Sequence, residues 1–166
     1  LPTLYTLGNR NPQGISVHPE TDEIWAAEHG PLGGDELNLI KAGINYGWPV
    51  ISYGKEYWGP IAVGEGTHRE GMEQPVKQYT PSIAPGSLLL YSGKAFPAWR
   101  GNLFVGALKY ELLVRLELVN GRIVHEERLL QRRLGRIRDV RVGPDGLVYL
   151  LTDERDGAIY RLSPIR

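Results

Sequence analysis

Apolar positions along this 166-residue chain recur with a period of two, in short runs broken by Gly, Pro, Asn and Asp. Glu36-Leu37-Asn38-Leu39-Ile40 alternates polar and apolar residues, the mark of a half-buried strand. The same reasoning predicts strands at 14–17, 23–27, 87–91, 102–108, 112–119, 122–130, 137–142, 147–152 and 158–162. Asn120-Gly121 between two of these runs is a strong hairpin signal. Helical periodicity is nearly absent. From 42 to 86 the alternation lapses into a stretch rich in Gly, Pro, Tyr and Trp. It reads as a long irregular insertion, and such loops in compact domains usually carry function.

The strand runs repeat. Gly14 to Ala27 and Asp139 to Leu151 are each a short strand, a proline turn with an acid and an apolar strand. Each then leads into a further strand, at 36–40 and 158–162, and 101–118 copies the second half of the unit. Leu103 and Leu147 lie 44 residues apart, close to one four-stranded propeller blade of about 40–45 residues. The pattern predicts an all-β chain, a β-propeller portion of about three four-stranded blades spanning 1–166; a two-sheet sandwich is the competing reading. Three blades do not close a ring, since propellers typically have four to eight. The chain is therefore expected to be part of a larger ring, or to assemble with another copy.

Composition narrows the function. Basic and acidic residues balance at 19 each, which argues against nucleic acid or an anionic membrane surface as partner. No apolar run is long enough to span a membrane. Leu1-Pro2-Thr3 shows neither the charged nor the apolar region of a signal peptide. With no cysteine there is neither a disulfide framework nor a thiolate metal site.

The richest chemistry lies between Glu28 and Pro49, where glycines and Pro31 interleave with Glu28, Asp35 and Glu36. Carbonyls and carboxylates on an irregular loop suit a hard cation such as Ca²⁺. A Gly-rich surface loop with solvated acids fits equally well, because no fixed Ca²⁺-loop spacing is present. Arg136 and Arg138 are two apart, so a strand turns both to one side. They could bind carboxylates bidentately, or belong to a solvated basic face with Arg132, Arg133 and Arg141.

Three separated motifs carry a resemblance: Gly8-Asn-Arg-Asn-Pro-Gln-Gly14, the Glu28–Pro49 stretch, and Leu134-Gly-Arg-Ile-Arg-Asp-Val140. In these the chain resembles the soluble aldose sugar dehydrogenases that use pyrroloquinoline quinone (PQQ), relatives of soluble glucose dehydrogenase. The resemblance covers nearly the whole chain and matches the C-terminal half of a six-bladed propeller. It implies an oxidoreductase that passes hydride from the anomeric carbon of an aldose to PQQ, giving a lactone, with electrons leaving to an external acceptor.

The same resemblance assigns residues. Arg10 and Asn11 match the pair beside the quinone, where the arginine steadies developing negative charge. Gly30 and Pro31 match the carbonyls that hold the PQQ-bridging Ca²⁺, and Glu36 and Tyr46 match a second, structural Ca²⁺. Lys109 matches a lysine near the quinone oxygens, and Arg136 and Arg138 a pair binding PQQ carboxylates. Gln13 and Asp35 sit in motif slots without an assigned role. The family's catalytic histidine lies in an N-terminal half that this chain lacks, and none of His18, His29, His68 or His125 matches it. Thr80 stands where some relatives have tryptophan. A periplasmic or secreted location is implied by the family alone. The alternative is a non-catalytic propeller module binding a sugar or a protein, with Trp48, Tyr53, Tyr57 and Trp58 as stacking surface; a stable but inactive fragment is the third.

Overall fold

The computed structural model describes residues 3–165. They form three antiparallel sheets in chain order. The first contains β1 (Pro12–Val17), β2 (Ile24–Glu28), β3 (Asp35–Ile40) and β4 (Lys77–Tyr79). The second contains β5 (Pro85–Leu90), β6 (Leu103–Ala107), β7 (Leu112–Val119) and β8 (Arg122–Leu129), and the third β9 (Ile137–Val142), β10 (Val148–Thr152) and β11 (Ile159–Leu162). A single 3-10 turn, Pro97–Trp99, is the only helical element among the described residues. No helix there is long and apolar enough to cross a membrane.

Two expectations change. The third sheet has three strands rather than four. The stretch 42–86 is not wholly irregular: β4 pairs with β3 as the outer strand of the first sheet, and Pro85 already begins β5. Three residues between Pro75 and Pro81 are too few to show an alternation. The Asn120-Gly121 hairpin is present, both residues with positive φ (50° and 70°), as a type I′ connection requires.

The first strands pack side by side and run parallel. Gly14 of β1 lies against Ser87 and Leu88 of β5, and Leu90 N donates to Ser16 Oγ at 2.9 Å. Pairing thus advances in the same direction along both strands. Gly86 of β5 lies against Ile137 and Arg138 of β9, where an added Cβ would meet their carbonyl oxygens at 2.9 Å. Sheets in chain order with their first strands side by side are a propeller portion.

In the middle sheet β5 and β6 are buried on both faces, which is why they read as continuous apolar runs rather than alternating ones. Leu88, Leu90, Leu103, Val105, Val114 and Leu116 face the first sheet and join Trp25 and Leu37. Leu89, Phe104 and Leu113 face the third and join Ile137, Val140, Val148 and Leu150. The outer faces stay open, with Ile15 and Val17 exposed at one end and Ile159 at the other.

Parallel first strands put their N-terminal ends on one face of the molecule. Each second strand is antiparallel to its first, so the β2–β3, β6–β7 and β10–β11 turns lie on that same face. Arg10, Asn11, Gly30, Pro31, Lys109, Arg136 and Arg138 all belong to those segments.

Candidate active site

Arg10 and Asn11 lead into β1, and the Pro12–Glu28 pairing lays them beside the end of β2. The buried Glu28 carboxylate fixes them there. Its Oε2 accepts from Arg10 N at 2.6 Å and Asn11 N at 3.2 Å, while Oε1 accepts from Asn9 Nδ2 at 3.3 Å and Asn38 Nδ2 at 2.9 Å. With its backbone held, Arg10 turns its guanidinium across the next loop. Arg10 Nη1 donates to the carbonyls of His29 and Gly30, at 3.0 and 2.9 Å. Trp48 supplies a face 5.0 Å from the guanidinium carbon, a cation–π contact. Trp48 arrives because residues 44–48 pair with the leader: Tyr46 N donates to Leu7 O and Trp48 N to Gly8 O. Arg10 Nε is buried and has no partner.

Glu36 follows Asp35 at the start of β3, opposite Glu28 in the ladder and on one face with Asn38. Asn38 Nδ2 also donates to Glu36 Oε2 at 3.2 Å, whereas Asn38 Oδ1 is buried without a partner. Burial, with smaller contributions from the Glu28 and Asp35 charges, lifts the Glu36 carboxyl to about 7. Two carboxylates and an orphaned amide oxygen form an oxygen-rich donor set suited to a hard cation. No three His, Cys, Asp or Glu side chains converge on a metal position among the described residues. A cation here therefore needs amide and carbonyl oxygens as well. Tyr46 offers no hydroxyl for this: its OH donates to Leu39 O at 2.6 Å and accepts from Lys41 N at 2.9 Å. Burial raises that phenol above its ordinary range. Only the Tyr46 main chain is left to serve the role that the resemblance implies.

The remaining cations lie on the same face, further round. Arg136 and Arg138 both reach Asp153 Oδ2, from Nη2 at 3.3 and 2.7 Å, and both side chains are nearly half exposed. The spacing did turn them to one side, as on a strand, although Arg136 itself precedes β9. Their hydrogen bonds hold Asp153 below the usual carboxylate range. Lys109 is exposed in the β6–β7 turn, with its ammonium 5.3 Å over the Tyr110 ring and no ion pair among the described residues. Thr80 braces the Gly-rich loop: its Oγ1 accepts from Gly34 N at 3.1 Å.

Two roles are not legible in the sequence, Glu28 as the anchor of Arg10–Asn11 and Trp48 as the face stacked on Arg10. His29 directly precedes the Gly-Pro carbonyls in sequence, a position expected to line the site. His29 Nε2 lies 2.7 Å from Pro85 O. A carbonyl only accepts, so that nitrogen carries a proton.

A model of the Glucose / Sorbosone dehydrogenase family matches residues 1–161. The chain belongs to that family. It is similar to the aldose sugar dehydrogenase YliI of Escherichia coli, 41% identical over 162 residues, covering 97% of this chain and 44% of that protein. A crystal structure of a glucose dehydrogenase superposes with a TM-score of 0.94 at 48% identity, over 99% of this chain and 48% of the other. The PQQ-bound aldose sugar dehydrogenase of Streptomyces coelicolor gives 0.73 at 27% identity, over 96% and 45%. The chain thus spans a little under half the length of these glucose/sorbosone dehydrogenase relatives. The family is one of sugar-oxidising oxidoreductases, and the two solved structures superpose on this chain's fold over a little under half their length.

Proposed function

We propose that the chain is the cofactor-holding part of a PQQ-dependent aldose dehydrogenase, working with the N-terminal half of a six-bladed ring. The observation carrying this is the convergence of Arg10, Asn11, Lys109, Arg136, Arg138 and the Gly30–Pro31 turn on one face. PQQ has three carboxylates, and this face offers four permanent cations to match them. Arg136 and Arg138 would hold carboxylates, Lys109 would lie near the quinone oxygens, and the Gly30 and Pro31 carbonyls would hold a Ca²⁺ beside them. Glu36, Asn38 and the Tyr46 main chain would hold a second Ca²⁺. When bound, PQQ is the hydride acceptor and Ca²⁺ acts on it as a Lewis acid.

The chain's own residues supply position and charge. Glu28 fixes the Arg10 backbone, and Trp48 and the two carbonyls fix its guanidinium. A preorganised cation of this kind favours developing negative charge without reorganising during the reaction. The loop carrying Tyr57 and Trp58 shapes the mouth that admits an aldose. The proton acceptor is a histidine of the other half-ring, electrons pass to an external acceptor, and the location is periplasmic or secreted.

The test is a titration of the chain with PQQ and Ca²⁺, followed by dye-linked oxidation of several aldoses. Quinone binding without turnover is expected. Absence of quinone binding would move the assignment to a second reading, a non-catalytic propeller module binding a sugar or a protein. One observation favours that reading: Tyr57 and Trp58 are 64% and 77% exposed, a ready stacking surface.

A further inference from the structure

We propose that Asp35 is a positioning residue that sets the Gly30–Pro31 turn of the first sheet against the Lys109 turn of the second. This deepens, and rests on, the reading of the site just given. Asp35 is fully buried and forms no ion pair among the described residues. It accepts four hydrogen bonds instead. Oδ1 takes one from Gly30 N at 3.1 Å; Oδ2 takes three, from Ser82 Oγ at 2.7 Å and from Ile83 N and Ala84 N at 2.8 Å each. A buried carboxylate is tolerated only when such donors replace its hydration.

The donors belong to two parts of the fold. Gly30 sits in the β2–β3 loop, whereas Ser82, Ile83 and Ala84, 47 to 49 residues beyond Asp35, form the strap entering β5. The strap's carbonyls then reach onward. Ile83 O accepts from Lys109 N at 3.0 Å, and Ala84 O from Leu108 N at 2.9 Å. Pro85 O takes the His29 ring. A single carboxylate is therefore one hydrogen bond from the main chain of Gly30 and one residue's breadth from that of Lys109. Ala84 is held at φ 52°, a left-handed conformation that is strained for a non-glycine residue. Asp35 bonds the amide of that same residue. Strain held by a buried charge between two candidate ligand-binding turns is the signature of a preorganised site, not of a surface cap.

A merely structural Asp35 would affect stability alone, so the experiment separates stability from affinity. PQQ and Ca²⁺ are titrated, by quinone absorbance and calorimetry, into the 166-residue chain, Asp35→Asn, Ser82→Ala and Leu116→Ala. Leu116 is a buried residue of the second sheet, toward the end of β7 remote from the site. Leu116→Ala is expected to melt earlier with unchanged affinities. Asp35→Asn is expected to weaken Ca²⁺ and PQQ by about 10- to 100-fold, the range for residues that orient ligands. Ser82→Ala, which removes one of the four bonds, should weaken both by a smaller factor and carries the test if Asp35→Asn does not fold. Wild-type affinity in Asp35→Asn, or in Ser82→Ala when that variant stands alone, overturns the role of Asp35. No binding by the unaltered chain overturns the functional reading and this role with it.

Discussion

Arg10 Nη1 lies 2.9 Å from the carbonyl oxygen of Gly30, so this arginine is bonded to an oxygen that the proposed function assigns to Ca²⁺. The carbonyl has a second lone pair and can serve both. On the proposed function, a Ca²⁺ held there would add a second positive charge beside the permanent one of Arg10. Arg10→Ala leaves the His29 and Gly30 carbonyls without this donor, which should cost about 1–3 kcal/mol of stability. Quinone binding should fall below detection. Thermal melting and the PQQ titration check the two effects separately.

Arg136 and Arg138 share one acceptor, Asp153 Oδ2. Replacing both arginines with Ala should lower PQQ affinity at least tenfold, and near-normal affinity would sink their assignment. Asp153→Asn should do the opposite, raising affinity several-fold at low salt by removing a competing carboxylate. Both effects should shrink as salt rises, since these groups are solvent-exposed.

Glu36 gives the cation-free protein a pH dependence whose sign is fixed. Its carboxyl is lifted from 4.5 in the unfolded chain to about 7 in the fold. The neutral form is the one the fold favours. This stability is fully present below about pH 4.5 and declines as pH rises through 7, by up to roughly 3 kcal/mol at about 1.4 kcal/mol per pKa unit. Melting temperatures recorded from pH 5 to 8 should fall more steeply for the unaltered chain than for Glu36→Gln. Saturating Ca²⁺, which binds the ionised form, should flatten the slope.

The buried middle sheet and the open outer face should respond differently to mutation. Leu113→Ala, at a fully buried position, should cost about 2–5 kcal/mol in urea unfolding. Ile15→Ser, at a residue 65% exposed, should cost under about 0.5 kcal/mol.

Much of this architecture was legible because local chemistry agrees with the fold. Bounds for β7 and β9 follow from alternation and from turn residues on either side, and Asn120-Gly121 specifies its hairpin unaided. β4 was hidden because a three-residue strand has no period to detect. The candidate site was legible only in part. Arg136 and Arg138 fall on one side by strand geometry, yet nothing nearby in sequence announces that Asp153 receives both. Asp35 drew attention as an acid in a Gly-rich loop, but its partners Ile83 and Ala84 are set by how the second sheet docks. Its one local signal was position, an acid at the head of an alternating strand. The Tyr46 hydroxyl could not be ruled out as a ligand until Leu39 and Lys41 were seen to claim it.

Gly14 and Gly86, where neighbouring first strands touch without an intervening side chain, would act as a gauge for the bore of the proposed ring. A methyl group at either would drive its strand off the neighbouring main chain and fan the sheets apart. The cations at the heads of the three sheets would then spread to a wider circle. On the proposed function, the fit of a rigid, flat tricarboxylate would thus be tuned deep in the wall, by two residues that carry no functional group.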